Sequence, residues 1–192
     1  YTHGGGEIED EEKAFTPFFL LPVEGDLALV DASRGTKLGT IRGEDAIEDG
    51  DDEGVDQEAI SAYALAHNDQ FVMTCTRNHM LRQYSIDTSQ NPPIKLYKSW
   101  GRSGHTLPVT SMEFHPSNIF LATASVDGTV RIWDVRGAYV THVFRPLAGG
   151  EGGSGRLSVT SLSWRNDVSQ LVLAIGRDDG SMAIHDLRQA DN

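Results

Sequence analysis

The chain has 192 residues, a formal net charge of −12, 39% hydrophobic residues, 20 glycines and a single cysteine, Cys75. Its apolar runs are short: Phe18-Phe19-Leu20-Leu21 stops at Pro22 and Leu171-Val172-Leu173-Ala174-Ile175 stops at Gly176, far short of the ~20 apolar residues of a membrane-spanning helix. One cysteine excludes an intramolecular disulfide framework and suits a reducing compartment.

The negative charge is concentrated in two segments. Residues 7–12 carry five acidic residues and residues 44–58 carry nine, and neither segment has a basic residue. The rest of the chain then has 28 − 14 = 14 acidic residues against 16 basic ones. We expect residues 1–14 to be a flexible acidic segment and residues 44–58 to be an acidic insert. A contact with a basic partner tail is the alternative for these acidic runs, and the near-neutral remainder leaves RNA contact open.

One sequence pattern recurs along the chain and is most complete at residues 104–134, GHTLPVTSMEFHPSNIFLATASVDGTVRIWD. Gly104-His105 precedes an alternating strand, a second strand leads into Asp127-Gly128, and a third carries Trp133-Asp134. The positions equivalent to Trp133 are, in chain order, Val30, Tyr84 and His185. Recurrence at this spacing predicts a repeat architecture with loop insertions.

The Gly-His to Trp-Asp order resembles the WD-repeat signature, which implies a β-propeller of four-stranded blades around a channel. We expect blades at about residues 15–43, 59–100, 104–145 and 157–187, with a glycine-rich loop at 146–156. The first blade begins part-way through, and the last lacks its outer strand. The predicted fold is therefore all-β, an incomplete arc of about three and a half blades. Because the chain starts at Tyr1 and is too short to close such a ring, we expect it to be a fragment of a longer, tandem-propeller protein.

The resemblance also implies a buried hydrogen-bonded network. Its members would be His105, Asp127, Trp133 and one hydroxyl of the second strand, either Thr123 or Ser125, with Asp127 accepting from His105 and from the turn backbone. A buried indole N–H and a buried carboxylate each need partners. We predict a structural role, because a catalytic triad needs an exposed nucleophile and this hydroxyl sits on an interior strand.

Partner contacts in such propellers come from the start of the first strand and from the residue before the turn aspartate. By matched position, the first strands contribute Ala59 and Ser61 in one blade and further residues in the next two. The full set of predicted contact residues also includes Arg77, Pro108, Thr110, Val126, Ser158, Thr160 and Asp178.

Enzyme signatures are not found in the sequence. No histidine pairs with cysteine or another histidine at metal-ligand spacing. The run PLAGGEGGSG lacks the Lys-Ser/Thr that follows a phosphate-binding loop. We predict a non-catalytic protein without metal, cofactor, membrane or small-molecule substrate.

Residues 99–145, and above all GAYVTHVFR at 137–145, resemble the WD-repeat subunits associated with the U-three small nucleolar RNA, especially their transducin-beta-like members. This resemblance implies a scaffold of the UTP-B subcomplex in the nucleolar small-subunit processome. Its partners would be other WD-repeat subunits and pre-ribosomal or small nucleolar RNA. Two alternatives remain open: a generic WD-repeat adaptor, and a substrate receptor of a cullin ubiquitin ligase, since Trp133-Asp134-Val135-Arg136 matches its WDxR pattern with Arg136 as the contact.

Overall fold

The computed structural model describes residues 16–43, 59–145 and 157–189. Within these ranges the chain forms fourteen β-strands in four antiparallel sheets that follow one another along the sequence. None of the described segments is a helix of the length and apolarity needed to cross a membrane. The predictions for residues 1–14, 44–58 and 146–156 fall outside the described residues.

Each sheet is a meander in which consecutive strands pair. Sheet I contains β1 (Phe18–Val23), β2 (Asp26–Asp31) and β3 (Lys37–Ile41). Sheet II contains β4 (Ile60–Leu65), β5 (Phe71–Thr76), β6 (Met80–Ile86) and β7 (Ile94–Arg102). Sheet III contains β8 (Val109–Phe114), β9 (Phe120–Ser125), β10 (Val130–Asp134) and β11 (Tyr139–Phe144). Sheet IV contains β12 (Val159–Trp164), β13 (Val172–Arg177) and β14 (Met182–Asp186).

The predicted fold class is confirmed. The described residues are all-β, and two four-stranded sheets lie between two three-stranded ones in an arc that does not close. The strands follow from the alternation of apolar and polar residues along the sequence. In β8, for example, Val109, Met112 and Phe114 are buried while Thr110 is exposed. A bulge in the pairing with β9 shifts that alternation between Val109 and Ser111.

The sheets have two ends that matter for function. At one, the turn-aspartate end, the first strands begin and the second strands turn into the third, as at Val126–Gly128 in sheet III. At the other, the Trp-Asp end, the third strands finish, as at Asp134. Gly128 has a φ of 76° at its turn, a left-handed conformation that glycine adopts without cost. In sheet II, His79 takes the equivalent place with a φ of 70°.

The hydrophobic core lies between adjacent sheets. Sheets II and III enclose a cluster that includes Met73, Phe114 and Trp133. Corresponding clusters join sheets I and II, around Leu29, and sheets III and IV, around Ile132. The first strands β4, β8 and β12 are neighbours in space. The arc is therefore held by face-to-face packing of blades around their first strands.

Candidate interaction site and the network beneath it

A chain of hydrogen bonds crosses sheet III at the turn-aspartate end. Trp133 Nε1 donates to Thr123 Oγ1 at 3.1 Å, and that hydroxyl lies 2.9 Å from His105 Nε2. On the other side of the ring, His105 Nδ1 lies 2.9 Å from Thr129 Oγ1, which donates to Asp127 Oδ1 at 2.6 Å. An indole N–H only donates and a carboxylate only accepts. These two ends fix the direction of every bond, so Thr123 donates to Nε2 and the neutral His105 ring donates from Nδ1.

The carboxylate of Asp127 terminates this chain, and the residue is 2% exposed. Besides the Thr129 hydroxyl, it accepts the backbone N–H groups of Thr106 and Thr129, both at 2.8 Å. Burial of the carboxyl acts to raise its pKa, but the hydrogen bonds from Thr129 and Thr106 outweigh that effect and lower the pKa to about 2. Asp127 is therefore charged, and its hydrogen bonds hold both its own turn, through Thr129, and the loop before β8, through Thr106.

The five residues expected in the network occupy distinct places. His105, Thr123, Asp127 and Trp133 are joined in it, and the second-strand hydroxyl is that of Thr123. Ser125 instead donates to Leu107 O at 2.8 Å and accepts from Asp127 N at 3.0 Å. His105 Nδ1 and Asp127 Oδ2 lie 3.6 Å apart, and the Thr129 hydroxyl also bridges the two side chains.

The sequence analysis did not predict two members of the network, Thr106 and Thr129. A hydroxyl two residues after an aspartate is a recognised turn signal, since the carboxylate bonds the backbone and hydroxyl ahead of it. That signal was available in Asp127-Gly128-Thr129. The contact between Asp127 and Thr106 joins residues 21 positions apart, so no local sequence pattern predicts it.

This arrangement cannot present a nucleophile. Thr123 is 0% exposed, and its oxygen is engaged by both the indole and the imidazole. Covalent catalysis requires that the attacking atom reach a substrate. The geometry instead ties the second strand, the third strand and the loop before β8 together.

The network makes a pH-dependent contribution to stability. Burial lowers the pKa of His105 from 6.5 to about 4, partly opposed by the nearby Asp127 charge. The unfolded chain therefore binds more protons than the folded one between these values, so the free energy of unfolding falls as the pH drops from about 6.5 to about 4, by up to ~1.4 kcal/mol per pH unit. Thermal unfolding of the parent chain and of His105→Gln, followed between about pH 6.5 and pH 4, measures this pH dependence of stability. The variant should show a shallower pH slope, and equal slopes would contradict the assignment.

At the positions equivalent to Trp133, the other three sheets carry different side chains in different surroundings. Tyr84 is buried between sheets I and II, and His185 packs against Phe144 with ring centroids 4.5 Å apart. Val30 is buried within β2.

Above the network, the same backbone contact recurs in three sheets. Arg77 N donates to Ala59 O at 2.9 Å, Val126 N to Pro108 O at 3.1 Å, and Asp178 N to Ser158 O at 3.1 Å. Each bond joins the residue before a turn to the start of a first strand. The structure thus brings the residue before each turn next to the start of the first strand in the same sheet, the two kinds of position that the sequence analysis named as candidate contacts.

The side chains at these positions differ in accessibility. Five are exposed: Arg77, Pro108, Thr110, Thr160 and Asp178. Val126, Ser158, Ala59 and Ser61 are half-buried. Thr110 also bridges two blades, because its hydroxyl donates to Val159 O at 2.8 Å. Together these positions form a recurring polar surface at the turn-aspartate end.

The network positions that surface in sheet III. Asp127 holds the N–H of Thr106, and Ser125 holds the carbonyl of Leu107. These two residues directly precede Pro108, and Val126 lies between Ser125 and Asp127. The buried bonds therefore fix the backbone that displays the candidate contacts.

Arg136 lies elsewhere, exposed in the turn between β10 and β11 at the Trp-Asp end. It is therefore separate from the surface at the turn-aspartate end. Among the described residues, no three histidine, cysteine, aspartate or glutamate side chains are grouped as a metal site. The described residues therefore have two distinct surfaces, one at the turn-aspartate end and one around Arg136 at the Trp-Asp end.

Comparison with known proteins agrees with this geometry. The family model named "WD domain, G-beta repeat" matches residues 95–134, which comprise nearly all of β7 and then β8, β9 and β10. This chain contains a WD repeat. The matched unit runs from the outer strand of sheet II through the first three strands of sheet III, so one sequence repeat links two blades.

Several relatives carry the same likeness. Transducin beta-like protein 3 of Bos taurus is 32% identical over 134 residues, covering 70% of this chain and 15% of that protein. The Homo sapiens protein of that name is 36% identical over 94 residues, 49% of this chain and 11% of its own length. "Target of rapamycin complex subunit wat1" of Schizosaccharomyces pombe is 38% identical over 68 residues, 35% of this chain and 20% of that protein. The predicted resemblance to WD-repeat proteins of the transducin-beta-like type is confirmed, and the chain spans only a small part of each relative.

Proposed function

We propose that this WD-repeat chain belongs to a non-catalytic scaffold subunit in assembly of the small ribosomal subunit. The observation that carries the proposal is the recurring surface at the turn-aspartate end, exposed on three successive sheets. The likeness to transducin beta-like protein 3 and the resemblance of residues 137–145 to subunits associated with the U-three RNA support the choice of assembly. In this role the protein works in the nucleolus, beside other WD-repeat subunits and the pre-ribosomal or small nucleolar RNA.

The mechanism is multivalent attachment. Sheets II, III and IV each offer one pair of contact positions on a backbone fixed by the same hydrogen bond. Contacts that are weak singly become strong together when a rigid body holds them, because the later ones form at high effective concentration. The blades are held together by the clusters packed between them and by cross-blade bonds such as that from Thr110.

A catalytic role is not part of the proposal. The hydroxyl, imidazole and carboxylate that together suggest a triad are closed off in the buried network, with His105 5% exposed. Its pKa of about 4 leaves the imidazole neutral at pH 7, and every polar atom of the set already has a partner. The hydrogen bonds of these groups hold the Asp127 turn and the loop before β8 in place.

A second candidate function is substrate reception for a cullin ubiquitin ligase. The specific observation favouring it is the exposed side chain of Arg136 directly after the Trp-Asp pair, as the WDxR pattern requires. A general adaptor role is the third candidate, since the matched relatives include a subunit of a target of rapamycin complex. These candidates differ in what the protein binds.

Affinity purification of the full-length protein from nuclear extract separates them. We expect the U-three RNA and several WD-repeat proteins to co-purify. Recovery of a cullin adaptor without that RNA would replace the proposal with the ligase role, and in that case Arg136→Ala should abolish the recovery. Recovery of neither would favour a general adaptor.

A further inference from the structure

A cleft opens between sheets II and III, well away from the surface at the turn-aspartate end. Its volume is about 440 Å³, within the ~300–1,000 Å³ typical of ligand sites. Its apolar lining includes Phe71, Ile119 and Val135. At its mouth stands Tyr97, 64% exposed, with its ring centroid 5.5 Å from that of Phe71. The cleft therefore combines an apolar interior with an accessible aromatic ring.

The cleft owes its shape to the outer strand β7. In the pairing of β6 with β7, Tyr84 opposes Leu96 and Gln83 opposes Lys98, so Tyr97 is an extra residue in a bulge. A bulge redirects side chains and often marks a functional position. Here it places Tyr97 and Lys98 consecutively in the cleft lining.

The polar lining of the cleft is rich in hydrogen-bond donors. Gln83 Oε1 already accepts from Trp100 Nε1 at 3.2 Å, and Asn118 Oδ1 already accepts from the N–H of His67 at 2.8 Å. These bonds orient both amides, and each NH₂ group can then donate to a ligand. Lys98 and Arg136 add two cations, and among the described residues that line the cleft none is acidic.

We propose that this cleft binds a linear peptide of a protein partner in which a hydrophobic side chain is flanked by aspartate or glutamate. The hydrophobic side chain enters between Phe71 and Val135, and the carboxylates meet Lys98 and Arg136. Nucleobases present both donors and acceptors at their edges, whereas a donor-rich lining complements carboxylates. The proposal concerns a different surface from the ribosome-assembly role and does not depend on it.

Fluorescence polarisation with the full chain tests this proposal. The probe is a labelled peptide with one phenylalanine between two pairs of glutamates and glycine-serine flanks. We expect saturable binding with a Kd below about 1 mM that weakens with added salt. Lys98→Glu and Arg136→Glu should each weaken binding about tenfold. The matched control is Lys37→Glu, an exposed lysine of β3 in sheet I, which should leave the Kd unchanged.

Two further probes decide the chemistry. Replacing the phenylalanine by serine, or the glutamates by glutamine, should each reduce binding about tenfold, and unchanged binding of either peptide overturns the proposal. An oligouridine of ten nucleotides is the competing probe. If it binds while the acidic peptide does not, and Lys98→Glu abolishes that binding, the cleft is a nucleic-acid site and the peptide proposal fails.

Discussion

Asp127→Ala is expected to lower the free energy of unfolding by about 2–4 kcal/mol. The substitution leaves two backbone N–H groups, of Thr106 and Thr129, and the Thr129 hydroxyl without their acceptor. It also ends the chain of bonds that begins at Trp133. Chemical denaturation of the variant and the parent chain measures the difference.

The matched control for that experiment is Asp179→Ala. Asp179 holds the equivalent turn in sheet IV and accepts from Ser181 N at 2.8 Å, but it is exposed. Water replaces its hydrogen bonds, so the expected loss is below about 0.5 kcal/mol. Equal losses in the two variants would show that burial of the network contributes nothing beyond an ordinary turn.

Trp164→Ala is expected to cost still more, about 3–5 kcal/mol. Trp164 is 5% exposed, and its indole packs edge-on against His115 with ring centroids 5.1 Å apart. Its Nε1 donates to Glu113 O at 3.1 Å, and its backbone N–H donates to Glu113 Oε2 at 3.2 Å. Removing the side chain therefore leaves a cavity between sheets III and IV and removes the hydrogen bond from the indole N–H to Glu113 O.

Trp164→Phe separates those two effects. The phenyl ring keeps most of the packing against His115 but lacks the indole donor, so we expect a loss of about 1–2 kcal/mol. Hydrogen exchange of the β12 and β13 amides gives a local readout, which should rise more in Trp164→Ala than in Trp164→Phe. Identical behaviour of the two variants would mean that the hydrogen bond to Glu113, and not packing, joins the sheets.

The strands of this chain were predictable because blades obey simple periodic rules. Alternating burial and turn residues such as Asp127-Gly128 are local features, and their recurrence every ~50 residues identified the repeat. The choice between Thr123 and Ser125 could not be made in that way. Both lie on the same face of β9 and both are buried, and only the position of the His105 ring distinguishes them.

The cleft was not predictable from the sequence. It depends on the bulge at Tyr97, which adds one residue to β7 relative to β6, and on the facing surface of sheet III. A one-residue change of register moves side chains to the opposite face. The bonds that orient the two amides likewise join distant residues. Gln83 is 17 positions from Trp100, and Asn118 is 51 positions from His67.

In the proposed scaffold role, the turn-aspartate end of the blades binds the other components of the assembly. The most direct test of this claim is purification of the full-length protein carrying Arg77→Glu and Thr160→Glu, two exposed positions on different sheets, beside the Lys37→Glu control. We predict that the double variant stays folded and recovers several-fold less U-three RNA and WD-repeat partner, while the control matches the parent. Undiminished recovery by the folded double variant would contradict the claim.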